Sequence, residues 1–474
     1  MTKNYDLVIL GGGTGGYVAA IKAAELNLSV AIVEKDKLGG TCLHRGCIPS
    51  KALLKSAEVY RKAKEASLFG VQINEIGFEL SKAMDRKNEI VNSLHQGVKQ
   101  LVNKEKITIF KGMGRILGPS IFSPTSGTIS VEYDDEREND MLIPKNVLIS
   151  TGASPVAPSK LGVDGDKIVT SDHLLELKEL PESITILGGG VIGVEWASFF
   201  CDLGVKVTIV EAAKTILPQM DQDLAKQMKS ALENRGATIY ENSKLQEDSI
   251  EQSDNSLTIK VTRDGEEYSL ETEKLLVSIG RAPNTKNIGI ENTDIKTNKN
   301  GFIEINEFYQ TKEDHIYAIG DVIEGKQLAH VAMQEAELAV EHMSGEKIEK
   351  LKNEHIPSCV YSYPEIASIG LTENEVKSKG FEFEIAKIPF KMIGKAKING
   401  QDDGFAKIII NKENDDLLGA HLIGDQATEM ITQLSLAKYL DASASEMDEM
   451  VYPHPSLSEI IGEAVHAIKG RNVQ

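Results

Sequence analysis

The sequence is poor in cysteine, tryptophan and basic side chains. It has four cysteines and one tryptophan among 474 residues, and its 52 lysines and arginines against 71 aspartates and glutamates give a net charge of −19. Four cysteines are too few for a secreted disulfide scaffold. An acidic surface repels a phosphate backbone, so no nucleic-acid partner is expected unless one face is locally basic.

Long apolar runs are missing as well. No run approaches the roughly 18 residues of a membrane-spanning helix. The first apolar run, residues 7–10, stops at a glycine cluster, which does not fit a signal peptide. Apolar residues make up 41% of the chain and charged residues 26%, as in ordinary soluble proteins. We therefore expect a cytoplasmic, acidic protein of about three domains, without a membrane partner.

One pattern occurs twice, with an offset of 177 residues between the copies. In the first copy an apolar strand, residues 5–10, leads into glycines spaced G-x-G-x-x-G, then a helix, then a second strand that ends at an acid. The second copy repeats each part in register and begins with a strand at residues 183–187. The glycines and acids are Gly11, Gly13, Gly16 and Glu34 in the first copy, and Gly188, Gly190, Gly193 and Glu211 in the second.

Each copy has the sequence pattern of a dinucleotide-binding unit. The first glycine permits a tight turn, the second lets the backbone approach a pyrophosphate, and the third lets the helix pack closely on the strand. The acid about 20 residues further on binds ribose hydroxyls. One such motif could be an ordinary turn, but two in register favour two bound dinucleotides. Glu211 would repel the 2′-phosphate of NADP, so NAD is predicted there. Glu34 alone does not distinguish NAD from FAD.

Two of the cysteines, Cys42 and Cys47, are separated by four residues. This is not the spacing of a zinc pair, and no second cluster supplies further ligands, so no metal site is predicted. Pro49 has the position of a first helical residue, which predicts Cys47 just before a helix amino terminus. The helix dipole favours a thiolate there by about 0.3–1 kcal/mol, less than the ~1.36 kcal/mol of one pKa unit. A neighbouring cofactor or base is needed for activation, and two inert thiols are the alternative.

The segment Gly39-Gly-Thr-Cys42, continued by Cys47-Ile-Pro-Ser-Lys51, resembles the redox-disulfide signature of the flavin-dependent pyridine nucleotide–disulfide oxidoreductases. The resemblance covers about residues 5–467. Within the family the chain is most similar to the E3 components of 2-oxo-acid dehydrogenase complexes, which oxidise dihydrolipoamide. It implies FAD in the first unit, NAD in the second, and a redox disulfide between the two cysteines. The expected partner is a lipoyl group of the acyltransferase component, E2.

Further segments match family motifs one at a time. The resemblance adds Lys51, Thr151, Gly152, Asp321, Ala329 and His330 to the FAD site, and Glu195 and Gly280 to the NAD site. Lys51 and Glu195 match a lysine–glutamate pair near the flavin N5, and Asp321 matches the aspartate of the ribityl chain. Taken alone, these residues have ordinary alternatives as turns, helix caps or solvated charges.

A histidine and a glutamate near the carboxyl terminus, His454 and Glu459, match the family's acid–base segment. Thiol–disulfide exchange needs a thiolate, so a base near neutral pKa must accept the substrate's proton. Glu459 would orient the imidazole. Pro455 is predicted to begin a helix, with His454 at its amino cap. By itself, such a histidine is more often a cap or a surface residue. In the family this segment enters the partner's active site, which implies a homodimer.

The resemblance implies an α/β fold with two Rossmann-like dinucleotide-binding domains and a C-terminal α+β dimerisation domain. The predicted boundaries are 1–152 and 279–347 for the FAD domain, 153–278 for the NAD domain, and 348–474 for the dimerisation domain. The alternatives are another NAD(P)H–disulfide reductase, or a non-catalytic dinucleotide-binding scaffold or redox sensor. The sequence does not identify the 2-oxo-acid complex. Two departures from the common family pattern are Tyr452, in place of a second histidine, and His44-Arg45 between the cysteines.

Overall fold

The computed structural model describes residues 2–119 and 126–471. The chain forms two compact units, each assembled from three segments. One unit comprises Met1–Ala52, Met84–Val156 and Arg281–Leu351, and the other comprises Leu53–Ala83, Ala157–Gly280 and Lys352–Gln474. Within the described residues, no helix combines the length and the apolar character needed to cross a membrane.

The strands are β1 (Thr2–Leu10), β2 (Val30–Glu34), β3 (Thr108–Lys111), β4 (Met113–Leu117), β5 (Thr128–Glu132), β6 (Asp140–Ile149), β7 (Ala153–Pro155), β8 (Ile168–Thr170), β9 (Ser183–Leu187), β10 (Lys206–Val210), β11 (Thr238–Tyr240), β12 (Ser243–Leu245), β13 (Glu251–Gln252), β14 (Leu257–Arg263), β15 (Glu266–Thr272), β16 (Lys274–Val277), β17 (Arg281–Pro283), β18 (Ile316–Ala318), β19 (Ser358–Val360), β20 (Glu365–Gly370), β21 (Phe383–Pro389), β22 (Phe405–Asn411) and β23 (Leu417–Gly424).

The α-helices are α1 (Thr14–Glu25), α2 (Gly40–His44), α3 (Cys47–Lys64), α4 (Leu80–Lys104), α5 (Ser171–Leu174), α6 (Val191–Asp202), α7 (Gln222–Asn234), α8 (Ala329–Met343), α9 (Glu373–Lys379), α10 (Gly394–Asn399), α11 (Ala427–Tyr439), α12 (Ala444–Glu449) and α13 (Glu459–Ile468).

The first unit is built on a largely parallel sheet with the strand order β3-β2-β1-β6-β5-β4, and β18 pairs with β6. Residues 7–10 of β1 are almost completely buried, as expected for a parallel strand covered on both faces. Helix α1 presents Ala19, Ala20 and Ala23 to the core, and these small side chains are fully buried. The acidic stretch between β5 and β6 is the exposed tip of an antiparallel hairpin.

The second unit contains a parallel sheet with the order β11-β10-β9-β16-β8 and a C-terminal antiparallel sheet with the order β19-β20-β23-β22-β21. The C-terminal strands β22 and β23 are buried along their whole length because helices α7, α11 and α13 pack against them. Trp196 on α6 packs against Phe199 and Phe200. The predicted α/β class, with two Rossmann-like regions and a C-terminal α+β domain, is confirmed.

A buried lysine joins the helices beside the parallel sheet of this unit to its C-terminal sheet. Lys407 on β22 is 2% exposed, and its Nζ lies 3.0 Å from an oxygen of Asp221, 3.1 Å from Asp223 and 2.6 Å from Glu373. Asp221 caps α7 by accepting the N–H of Asp223 at 3.0 Å. Asp221 and Asp223 therefore bind the lysine at the start of α7, and Glu373 binds it from the start of α9.

Candidate active site

The two predicted nucleotide-binding loops repeat in atomic detail. A Cβ added to Gly16 would lie 2.0 Å from the carbonyl oxygen of Gly11, and one added to Gly193 would lie 2.0 Å from that of Gly188. Real Cβ atoms do not approach backbone so closely, so only glycine lets α1 and α6 pack this near their preceding strands. Both third glycines therefore have the packing role that the motif predicts.

The amino termini of the two helices are suited to an anion. Helix α1 follows Gly13 and helix α6 follows Gly190, and among the described residues no side chain caps either terminus. The first amide N–H groups of a helix have no intrahelical partner, and together with the dipole they bind a phosphate group. A Cβ on Gly190 would meet no described atom within 4 Å, so the space over this loop is open. Both loops fit a dinucleotide pyrophosphate.

The acid of each copy is held against its own glycine loop. An oxygen of Glu34 accepts the N–H of Gly12 at 2.6 Å, and an oxygen of Glu211 accepts the N–H of Gly189 at 2.6 Å. Each carboxylate therefore lies beside its loop, as the ribose position requires. The hydrogen bond between the acid and the glycine loop is thus repeated at the same offset of 177 residues.

Sequence reasoning missed two serines with matching roles. The Ser150 hydroxyl donates to the carbonyl of Gly11 at 2.8 Å, and the Ser278 hydroxyl donates to that of Gly188 at 3.1 Å. Each serine follows the strand parallel to the one that precedes the glycines, β6 or β16. Since the two serines are not separated by the offset of 177 residues, the sequence repeat does not reveal them.

The segment predicted for the FAD site at Thr151 lies beside the segment that follows Gly280. The Thr151 hydroxyl donates to the carbonyl of Asn284 at 2.8 Å, and the Asn284 side chain donates to the carbonyl of Thr151 at 2.9 Å. The Asn284 N–H donates to the carbonyl of Gly152 at 2.8 Å. The role of Asn284 as a clamp was not predicted. Gly280 is the residue at which the chain leaves the second unit.

The segment predicted to bind the ribityl chain of FAD contains a half-buried carboxylic acid, Asp321. Burial raises the pKa of Asp321, while the Arg281 guanidinium, 3.7 Å away, acts in the opposite direction. Ala329 and His330 follow as the first residues of α8, whose amino terminus no described side chain caps. This carboxylate fits a ligand that carries hydroxyl groups.

The predicted redox cysteines lie side by side. Cys42 is in the short helix α2 and Cys47 is the first residue of α3, and their side chains are near disulfide distance. A hydrogen bond with Cys47 and burial raise the pKa of the Cys42 thiol, whereas the positive charge of Lys51 acts in the opposite direction. Cys47 lies at the amino terminus of α3, where the helix dipole favours a negative charge.

Helix α3 begins two residues earlier than predicted. Pro49 is its third residue and not its first, and Cys47 lies within the first turn and not before it. The hydrogen-bonded ladder already starts with the N–H of Ser50, which donates to the carbonyl of Gly46 at 3.1 Å. A proline is tolerated at the third position because its missing N–H would have no intrahelical partner there.

The predicted acid–base pair is in contact. Nδ1 of His454 lies 2.6 Å from an oxygen of Glu459, whose other oxygen accepts the N–H of Ser456 at 2.8 Å. The backbone and imidazole hydrogen bonds lower the pKa of Glu459, although burial alone would raise it. Glu459 therefore stays ionised and holds the Nδ1–H tautomer, which leaves Nε2 of His454 as a proton acceptor. The His454 side chain is 80% exposed in the single chain.

The predicted helix start at Pro455 is wrong. Helix α13 begins at Glu459, and His454 lies in the preceding loop. A residue before a proline is disfavoured in helical conformation, and His454 is followed by Pro455. Glu459 is therefore in the first helical turn, and His454 is outside the helix.

Two further predicted residues have contacts that bear on their roles. Glu195 is a buried residue of α6, and its carboxylate accepts the N–H of Tyr361 at 3.0 Å. Cys201 is also on α6, and burial raises the pKa of its thiol to about 11. A thiol of such high pKa is protonated and unreactive at neutral pH.

Relatives from bacteria and plants align with almost the whole chain. A dihydrolipoyl dehydrogenase of Bacillus subtilis is 53% identical over 473 residues, which cover 100% of both chains. A dihydrolipoyl dehydrogenase of Zymomonas mobilis is 38% identical over 99% of both chains. A leghemoglobin reductase of Glycine max is 38% identical over 98% of this chain and 87% of its own.

Solved structures agree in fold over almost the whole chain. LpdA from Mycobacterium tuberculosis matches 98% of this chain and 99% of its own, with a TM-score of 0.90 and 25% identity. The HOCl-induced flavoprotein disulfide reductase RclA from Escherichia coli, as a Cu(II) complex, matches 99% and 100%, with a TM-score of 0.86 and 28% identity.

Two family descriptions match consecutive parts of the sequence. Residues 5–336 match the pyridine nucleotide-disulphide oxidoreductases, and residues 356–465 match the dimerisation domain of the same proteins. The paired cysteines and the two nucleotide-binding loops lie within the first match. The chain therefore belongs to the pyridine nucleotide-disulphide oxidoreductase family.

Proposed function

We propose that the chain is a dihydrolipoyl dehydrogenase that holds FAD in the first nucleotide site and uses NAD in the second. The observation that supports this most directly is the Cys42–Cys47 pair, near disulfide distance at the start of α3. The name of the Bacillus subtilis relative, 53% identical over the full length, supports the same activity. A non-catalytic scaffold would have no need of this cysteine pair or of the ordered His454–Glu459 contact.

The cysteine pair accounts for the substrate half-reaction. One thiolate of dihydrolipoamide attacks the Cys42 sulfur, the Cys42–Cys47 bond breaks, and Cys47 leaves as a thiolate. The second substrate sulfur then displaces Cys42, so lipoamide leaves as a disulfide and the cysteines keep two electrons. When bound, FAD supplies a two-electron carrier between the reduced cysteines and NAD.

His454 and Glu459 are proposed to handle the substrate's proton. With Nδ1–H directed at Glu459, Nε2 of His454 can accept a proton from the attacking dithiol. The ionised glutamate stabilises the imidazolium that results. Since the His454 side chain is 80% exposed in a single chain, we propose that the working site is completed in a homodimer. The match of residues 356–465 to a dimerisation domain supports this arrangement.

The second site favours NAD over NADP, which argues against a glutathione-type reductase. The Glu211 carboxylate lies at the loop where a 2′-phosphate would need a cation. No arginine follows before Arg235, whose guanidinium bonds to Asp202 at 2.6 Å and to the carbonyl of Tyr363 at 2.7 Å. Arg235 is therefore held by other partners and does not supply a cation for a 2′-phosphate. The proposed partner on the sulfur side is a lipoyl group carried by an E2 acyltransferase.

Purification and spectroscopy test the proposal directly. We expect a yellow protein that reduces NAD with dihydrolipoamide and develops a long-wavelength thiolate-to-flavin absorption band on partial reduction. A colourless protein that FAD cannot reconstitute would contradict it. Turnover with glutathione disulfide and NADPH, and not with lipoamide, would assign the chain to another branch of the family.

Replacing His454 with glutamine is expected to lower dihydrolipoamide oxidation by about 10²–10⁴-fold, because glutamine cannot accept a proton at neutral pH. Transfer from NADH to a dye needs no proton from a dithiol and should stay near the wild-type rate. Steady-state kinetics of both reactions give the comparison, with His355→Gln as the matched control. Equal losses in both reactions would assign His454 a folding role instead.

Replacing Gly193 with alanine is expected to raise the KM for NADH by at least about tenfold while the protein keeps its flavin. The new Cβ would lie 2.0 Å from the carbonyl of Gly188, so α6 must move away from its loop. NADH-to-dye kinetics and the flavin-to-protein absorbance ratio are the measurements. Gly394→Ala, where a Cβ meets no described atom within 4 Å, is the control. An unchanged KM would show that this loop does not bind the nucleotide.

A further inference from the structure

Two histidines share one backbone acceptor beside the redox segment. Nε2 of His44 lies 2.8 Å from the carbonyl oxygen of Leu38, and Nδ1 of His95 lies 2.9 Å from the same oxygen. The two rings are edge to face, with centroids 5.0 Å apart. His44 is the last residue of α2, between the two cysteines, and His95 comes from the middle of α4.

The shared acceptor fixes the protonation of both rings. A carbonyl oxygen only accepts hydrogen bonds and has two lone pairs, so both ring nitrogens that face it must carry a hydrogen. His44 is therefore the Nε2–H form and His95 carries a hydrogen on Nδ1. Burial lowers the pKa of His44, and the nearby His95 acts in the same direction. His44 is thus a neutral donor at physiological pH.

The peptide between Leu38 and Gly39 is held on both sides. Its carbonyl accepts from the two histidines, and its N–H, that of Gly39, donates to the carbonyl of Gly12 in the first glycine loop at 2.8 Å. The next residue, Gly40, has a φ of +57°, and a Cβ there would lie 2.6 Å from the backbone of Gly13. The chain segment before Cys42 is therefore packed on the flavin-site loop, with the histidines on its other side.

We propose that His44 and His95 are positioning residues that fix the Leu38–Gly39 peptide and thereby hold Cys42 against Cys47. The inference rests on the proposed disulfide chemistry and adds two residues to it. A disulfide forms readily only when its two sulfurs are kept in bonding geometry. A freer α2 lowers the effective concentration of one thiol at the other, so the pair becomes easier to reduce.

Leucine substitutions remove the hydrogen bonds and keep an apolar side chain of similar bulk, whereas amide side chains restore the donor. H44Q places an N–H near the position of Nε2, and H95N places one near Nδ1. We expect H44L and H95L to lower the disulfide-to-dithiol equilibrium constant by about tenfold, equivalent to about 30 mV for this two-electron couple. H44Q and H95N should recover most of the wild-type value.

The measurement is made on purified, flavin-loaded protein, equilibrated in dithiothreitol redox buffers and assayed for free thiols. Flavin content and unfolding midpoints are recorded for every variant. Leucine variants with a wild-type equilibrium, or amide variants shifted as far as the leucine variants, would overturn the proposal. A loss of flavin or of stability that parallels the shift would also overturn it, since the rings would then support the whole domain.

This experiment separates the inference from the proposed function. The thiol equilibrium needs neither lipoamide nor NAD, so it can be measured even if the wild-type protein fails to oxidise dihydrolipoamide. In that case the proposed substrate is wrong and the role of the histidines stands. If the wild-type protein oxidises dihydrolipoamide but the thiol equilibrium of the leucine variants is unchanged, the proposed function stands and the proposed role of the histidines is wrong.

Discussion

Replacing Cys47 with serine is expected to abolish the oxidation of dihydrolipoamide, with a loss of about 10³-fold or more. Serine cannot form the disulfide with Cys42, so the substrate dithiol has no bond to exchange with. Electron transfer from NADH to a dye does not pass through the cysteines and is expected to persist. The result is measured as two steady-state rates on the same flavin-loaded preparation.

The matched control is Cys201→Ser, because Cys201 is a half-buried thiol without a predicted redox role. Its dihydrolipoamide turnover should remain near wild type. The long-wavelength absorption band on partial reduction should also be missing from Cys47→Ser and present in the control. Substantial lipoamide turnover by Cys47→Ser would contradict the disulfide mechanism as a whole.

Replacing Lys407 with methionine is expected to destabilise the protein by about 3–5 kcal/mol, the usual cost of removing one partner from a buried ionic cluster. The lysine is 2% exposed and its Nζ contacts carboxylates of Asp221, Asp223 and Glu373. Without it, the buried Asp221 carboxylate faces two other acids and no buried cation. Urea unfolding followed by circular dichroism gives the free energy of unfolding.

The control for this change is Lys387→Met, because Lys387 is a second lysine that contacts Asp223. Lys387 lies 3.3 Å from Asp223, but its side chain is 45% exposed. An exposed ion pair contributes only about 0–1 kcal/mol, so the loss in the control should be small. Equal losses of unfolding free energy in the two variants would show that the burial of Lys407 does not increase its contribution to stability.

The same cluster makes stability depend on pH in the acid range. Burial raises the pKa of Asp223, but hydrogen bonding and charge from Lys407 outweigh it, and the net pKa lies below its usual value of 3.8. Bonds from Lys377 and Lys407 lower the pKa of Glu373 below 4.5. A carboxylate with a lowered pKa stabilises the fold at higher pH, and this contribution disappears as pH falls through the folded-state pKa. Lys407→Met should therefore lose less stability than wild type as the pH falls below about 4.

Much of the fold could be predicted because the repeat carries strong local patterns. The strand at residues 183–187 was predicted with its exact bounds, and the first strand differs only in its start. Glycine spacing predicted the close packing at Gly16 and Gly193 because that packing depends on the absence of a side chain. These features are local, so the sequence contains all the information they need.

Contacts between distant segments could not be predicted in the same way. Asn284 bonds to Thr151 across 133 positions, and His95 bonds to Leu38 across 57. Neither pair has a spacing that distinguishes it from surface polar residues. The histidine–glutamate contact was expected only from the resemblance, and the helix start near it was misplaced because a proline can either begin a helix or precede one.

The two nucleotide-binding copies differ in the connection between their second and third strands. Strand orders β3-β2-β1 and β11-β10-β9 are the same. In the first copy, however, the crossover from β2 to β3 runs from Glu34 to Thr108 and contains α2, α3 and α4, whereas the crossover from β10 to β11 contains only α7. Both cysteines lie in the longer crossover. A duplicated nucleotide-binding fold thus needs only one lengthened crossover to gain a dithiol centre, with the strand order of both copies left intact.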